Sequence, residues 1–191
     1  MQKTTLLLLF KHFDKQELDF FAKFLQSPIY NTDAKVVQLF DIIAKAYPAF
    51  RAADLERKVV FRQIFGAIEY EEQTMYLLIS KLKKMVEEFW IWQAFQQKKA
   101  YKNQWLLEAY DKRQLLKPFE QQLKKAYKQL NKINVQSEGI DAYYHRFLFD
   151  EISFQRRIMV ESRPVNTSLP SLLEQLDSYY LAKKLSYFCP M

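Results

Sequence analysis

Side chains suited to nucleophilic or metal chemistry near neutral pH are scarce in this chain: two histidines, His12 and His145, and one cysteine, Cys189. Metal sites built on such residues need several ligands at short, regular spacings. His12 and His145 are isolated from any Cys, His or carboxylate cluster of that kind, so no metal is expected. Cys189 stands beside Pro190 with no base near it in sequence to activate the thiol. Asp150 and Glu151 lie within helical reach of Arg146, Arg156 and Arg157, and the Arg146 spacings are those of ordinary surface ion pairs. A glycine-rich phosphate loop and a nucleophile elbow are both absent from the sequence. These residues point to no catalytic reaction and no cofactor.

Binding surfaces are better supplied. Lys124, Lys128 and Lys132 recur every four residues, the spacing of one helical face, with Lys125 beside them. Lys98, Lys99, Lys102, Lys112, Arg113 and Lys117 precede them. The net charge of +7 is concentrated here, because residues 98–137 hold ten Lys or Arg against three Asp or Glu. Residues 1–97 hold 13 against 12, and residues 138–191 hold six against seven. Such a block steers an acidic partner or follows a phosphate backbone, and a solvated face is the plainer account. Lysine outnumbers arginine nine to one in it, which argues against bidentate phosphate recognition. Trp90 and Trp92, two residues apart, point about 200° from one another on a helix. Phe147 and Phe149 repeat the problem, so these helices are buried on two sides or turn one ring toward a partner. Trp90, Trp92, Tyr101 and Trp105 are the candidate anchors of a protein interface, with Lys124, Lys128 and Lys132 steering an acidic partner.

The elements that must position these residues are helices. Two glycines in 191 residues leave almost no access to the left-handed backbone that hairpins require. Asp14 and Glu17 form a capping box that starts a helix at Lys15, with Phe13 and Leu18 as a hydrophobic staple. That helix stops before Ser27-Pro28. Asn31, Thr32 or Asp33 caps a second, whose stripe is Val36, Val37, Leu39, Phe40 and Ile43 and whose end is Pro48. Asp54 is expected to cap a third, through Leu55, Val59, Val60, Ile64 and Phe65, with Gly66 as its left-handed stop. From Glu71 to Lys117 there is neither glycine nor proline, and length alone predicts a break near Gln96–Lys99. Pro118 starts a helix carrying the heptad-like seam Phe119, Leu123, Ala126, Leu130 and Ile133. Asn134–Gly139 reads as a turn before a helix over Tyr143–Met159. Pro164, Asn166, Thr167 and Ser168 separate a last helix lined by Leu172, Leu176, Tyr179, Tyr180 and Leu185.

Phe24-Leu25-Gln26-Ser27-Pro28-Ile29-Tyr30-Asn31, together with Tyr47-Pro48, Phe50 and the stretch from Ile64-Phe65-Gly66 to Phe89, resembles an uncharacterised family of bacterial all-helical proteins. The similarity covers roughly residues 13–92 and implies a shared helical fold, with no activity attached to it. Residues 54–89 also resemble a helix-turn-helix, whose second helix would enter a major groove. Glu69, Glu71 and Glu72 stand where phosphates would approach, against Lys81, Lys83 and Lys84 further along, so an αα-hairpin is the favoured account.

The expectation is therefore an all-α protein. Residues 1–97 form a compact helical domain with a helix-turn-helix-like unit, and residues 98–191 form antiparallel helices of bundle or loose helical-repeat type. The apolar run Leu6–Phe10 is followed at once by Lys11, His12 and Asp14 and lacks a small-residue cleavage site, unlike a secretory segment. With no apolar stretch of bilayer length and no disulfide framework, a cytoplasmic protein without a membrane partner is expected. The apolar C-terminal end suggests a piece of a longer helical protein or an end docked on another subunit. The expected function is a non-enzymatic protein–protein interaction or scaffold module, and nucleic-acid binding through the helix-turn-helix-like unit or the basic block is the alternative.

Overall fold

The computed structural model describes residues 5–51, 53–132, 135–160 and 169–188, the side chains of 135–139, 159 and 160 excepted. Ile133, Asn134, Pro164, Asn166, Thr167, Ser168 and Cys189 lie outside the described residues. The described residues form nine helices and no strand, so the fold is all-α: α1 (Thr5–Phe10), α2 (Lys15–Gln26), α3 (Ala34–Lys45), α4 (Arg57–Phe65), α5 (Glu72–Gln97), α6 (Lys99–Lys112), α7 (Leu116–Leu130), α8 (Val135–Val160) and α9 (Leu169–Phe188). The packing divides into two units, Met1–Ala94 and Phe95–Met191.

In the first unit α2 and α3 begin where a polar side chain satisfies a free backbone amide. Glu17 N–H donates to Asp14 Oδ1 at 2.8 Å and Asp14 N–H to Glu17 Oε2 at 3.2 Å, which completes the capping box of α2. The link to α3 is built around Asn31. Its side-chain amide donates to the carbonyl of Leu25 at 3.0 Å, and its Oδ1 accepts from Asp33 N–H at 3.0 Å. Asp33 in turn accepts from Lys35 N–H at 3.0 Å, capping α3, and pairs with Lys81 of α5 at 2.8 Å. Tyr30 stacks on Phe24 at 4.1 Å. Within the Phe24–Asn31 segment, Phe24, Leu25, Tyr30 and Asn31 thus build a joint between two helices.

The core of this unit is aromatic. Phe10, Phe21 and Phe89 are wholly buried, and Phe21 touches Phe10, Phe13, Phe24, Phe40 and Phe89 at ring separations of 5.2–6.4 Å. The Leu6–Phe10 run contributes to it as α1, burying Leu6, Leu7 and Phe10. Asp54 does not cap α4: the helix starts after Glu56, which makes no side-chain cap bond. Leu55, fully buried in the preceding turn, anchors the chain there instead. Gly66 ends α4 at φ 80° and ψ −144°, an extended left-side conformation outside the left-handed helical well and open to glycine almost alone.

The second unit is a helical bundle. Tyr101 meets His145 and Asp111 pairs with Arg156, so α6 and α8 run in the same direction. Tyr127 bonds Asp150 and Asn131 accepts from Arg146, so α7 runs against α8. α9 packs back along α8, where Tyr179 meets Tyr144. Every residue from Ala142 to Asp150 is buried or half-buried, so α8 is the central helix, and Phe147 and Phe149 are both accommodated by burial on more than one side. The expected turn over Asn134–Gly139 is corrected, since α8 is helical from Val135 and includes Gly139. Glycine disfavours a helix interior by only about 1 kcal/mol, which neighbouring packing overrides.

The break in the glycine-free stretch falls at Lys98, between α5 and α6. A second break separates α6 from α7, and it lies ahead of the start expected at Pro118: α7 begins at Leu116. Gln114 takes φ 56°, Leu115 N–H donates to the carbonyl of Tyr110 at 2.9 Å and Gln114 N–H to that of Asp111 at 2.8 Å. That bond pair is a Schellman stop with glutamine where glycine is usual.

Two substitutions check these joints. Gln114→Gly relieves the left-handed strain and stabilises the second unit by about 0.5–1 kcal/mol in urea unfolding. Asp33→Ala removes the cap of α3 and the Lys81 pair, at a cost of about 1 kcal/mol at pH 7. The Lys81 ammonium holds the Asp33 carboxyl below its ordinary 3.8. A depressed folded-state value gives stability that is complete above about pH 4 and lost as pH falls through it, so the gap between wild type and variant narrows between pH 4 and 2.

Candidate functional site

Trp90 and Trp92 lie at the end of the α5 stripe formed by Met75, Leu78, Ile79, Leu82, Val86 and Phe89. Both are half-buried against the first unit's core: Trp90 stacks on Phe13 at 5.7 Å, and Trp92 packs on Phe89 and Phe24, each at 6.1 Å. The two directions their spacing imposes are both used by the fold. These rings are packing residues of the first unit.

Tyr101 and Trp105 belong to the second unit. Trp105 stacks on Phe95 at 4.8 Å, Tyr101 lies 6.2 Å from Trp105, and Tyr101 meets His145 edge-on at 4.4 Å. Tyr101 is half-buried in this ladder, whereas Trp105 leaves 49% of its surface in solvent. Tyr144 continues the row toward α9, packing on His145 and on Tyr179. Burial, then the neighbouring Tyr101 and Tyr179, raise the Tyr144 phenol above its ordinary value. Burial and the hydrogen bond donated to Asp150 raise Tyr127 further. Both phenols stay protonated at ordinary pH.

The lysines stand apart from these rings. α7 buries Phe119, Ala126 and Leu130 and half-buries Leu123, so its seam faces inward. Lys124, Lys125, Lys128 and Lys132 are exposed and form no ion pair among the described residues. The helix-turn-helix-like unit has less free charge. Lys81 is held by Asp33 and Lys83 lies 3.3 Å from Glu87, while Glu72 at the front of α5 pairs with Arg57 at 3.1 Å.

Polar groups that set the bundle's register lie behind the lysine face. Asn103, 8% exposed, donates to Gln129 at 2.8 Å and accepts from Gln122 at 2.9 Å, tying α6 to two positions two turns apart on α7. Arg156, 6% exposed, pairs with Asp111 and lies 4.7 Å over the Phe119 ring. A buried asparagine between paired helices is satisfied in few alignments and so selects one.

α9 is the most exposed apolar surface in the second unit. Of the residues expected to line it, Leu172 is buried and Tyr179 half-buried, but Leu176, Tyr180 and Leu185 face solvent. With Leu173, Leu181, Tyr187 and Phe188 they make seven large apolar side chains 39–73% exposed on one helix. Apolar periodicity marked these positions but carries no information on whether a neighbour covers them. No helix among the described residues is long and apolar enough to cross a membrane, so lipid spanning does not account for them. Clusters of three or more metal-ligating residues do not occur among the described residues. A shallow depression of about 390 Å³ beside Gly66 is lined by Lys58, Phe61, Arg62, Ala67, Ile68, Glu69 and Tyr70.

Comparison of the chain with protein-family models, curated proteins and solved structures finds no match. The resemblance over residues 13–92 therefore gains no support from these comparisons.

Replacing Asn103 by alanine leaves the Gln122 amide without its partner between α6 and α7. The expected cost is about 1–2 kcal/mol in urea unfolding followed by circular dichroism.

Proposed function

We propose that the chain is a non-enzymatic helical interaction module that docks protein through its second unit. The observation that carries this reading is the α9 surface, where Leu173, Leu176, Tyr180, Leu181, Leu185, Tyr187 and Phe188 all stand more than a third exposed. Scattered apolar residues are normal on a protein surface, but a contiguous run of this density is the mark of a docking face. Tyrosines in such a run supply large contact area at low entropic cost. The exposed Lys124, Lys128 and Lys132 add a long-range attraction for an acidic protein surface. Trp105, partly exposed on α6, is the aromatic retained as a further anchor. Trp90 and Trp92 are not, because the first unit's core occupies them.

A second reading rests on the unpaired lysines alone, which match a phosphate-tracking face. It predicts an electrophoretic shift of nucleic acid that weakens steeply between 50 and about 200 mM salt. The docking reading predicts none.

A photo-activated cross-linker placed at Tyr180 tests the docking reading. Irradiation in the source cells yields covalent protein adducts, and the same group at exposed Lys58 of the first unit yields far fewer. Equal labelling at the two positions would remove the case for α9.

A further inference from the structure

We infer that the partner of α9 is a second copy of α9, laid antiparallel across a two-fold axis, an inference that rests on the docking reading above. Three features of the helix lead to this occupant. Leu169, Leu173, Leu176, Tyr180, Lys183 and Tyr187 follow alternating four- and three-residue spacing, the seam of a two-helix pair. The seam is open: Leu173, Leu176, Tyr180 and Tyr187 are 50%, 39%, 58% and 73% exposed, while Leu172 and Tyr179 on the adjacent face pack toward α8.

Charge selects the direction. Glu174 and Asp177 occupy the first half of α9, and Lys183 and Lys184 the second half. Asp177 and Lys184 are seven residues apart and flank the seam on the same side. A parallel copy would set acid beside acid and base beside base. An antiparallel copy sets Asp177 of each chain near Lys184 of the other, twice over, as an isologous contact requires. In that register Leu176 of one copy meets Tyr187 of the other, and Tyr180 meets Lys183. The lysines already lie on these rings within one helix, with Lys184 Nζ 5.8 Å from the Tyr180 centroid and Lys183 Nζ 5.4 Å from that of Tyr187. None of these charges lies in the first or last turn of α9, so the helix's own dipole does not account for their order.

Light scattering on the purified full chain reads the outcome, with circular dichroism confirming that each variant is folded. Wild type is expected at twice its 23.1 kDa mass. Tyr180→Glu, at a solvent-facing position, moves it to monomer. Asp177→Lys weakens association at least about tenfold, and the double variant Asp177→Lys/Lys184→Asp restores it, a rescue that depends on the antiparallel register. A wild-type monomer at about 100 µM overturns the inference. So does a dimer indifferent to Tyr180→Glu, or a charge swap without rescue. A monomer that still cross-links to other proteins from Tyr180 overturns self-pairing and leaves the docking reading standing. A monomer without adducts overturns both.

Discussion

The ring of Phe21 is the contact on which the first unit depends. It is wholly buried and touches five other phenylalanines, which come from α1, the link after it, α2 itself, α3 and α5. Aromatic pairs at these separations add directional preference to burial. One side chain therefore fixes four helices at once, and the rest of the unit is arranged around its position. Phe13 stacks between this cluster and Trp90, and the Tyr47 hydroxyl closes over it by donating to the Phe13 carbonyl at 3.1 Å. The tryptophans follow from this arrangement: both serve the wall of an aromatic core.

The second unit is held together differently. Its buried hydrophobic cluster is small, centred on Leu107, Phe119, Ala126, Leu130 and Phe149. Around it run part-buried polar contacts: Asn103 with two glutamines, Arg156 with Asp111, and Tyr127 with Asp150. Such contacts add little net stability, but each is satisfied in one alignment of its helices and penalises the others. The lysine face thus sits on a helix whose register is set from behind, whereas α9 is held to α8 by Leu172 and by Tyr179 on Tyr144.

Local polar signals were legible in the sequence wherever a side chain acts on its own backbone. Asp14 with Glu17 marked the start of α2, Ser27-Pro28 its end, and the run Asn31, Thr32 and Asp33 the start of α3, of which Asp33 is the cap. The break at Lys98 followed from length alone. Gln114 was illegible, because a left-handed stop is ordinarily announced by glycine and here two backbone hydrogen bonds impose it on glutamine. Asp54 misled for the opposite reason: a good capping residue stood near a helix whose start was set by burial of Leu55. The lysine row on α7 was legible because charge and period coincide. The open seam of α9 was not, since Leu172 and Leu176 look alike in sequence and differ only in what packs above them.

The division of the three indoles has an optical consequence. Trp90 and Trp92 sit among phenylalanines in one unit, and Trp105 lies half in water in the other. Emission from the first pair belongs at shorter wavelength than emission from the third, so the protein carries a separate fluorophore for each half. Loss of order in either half would shift a different part of the same spectrum.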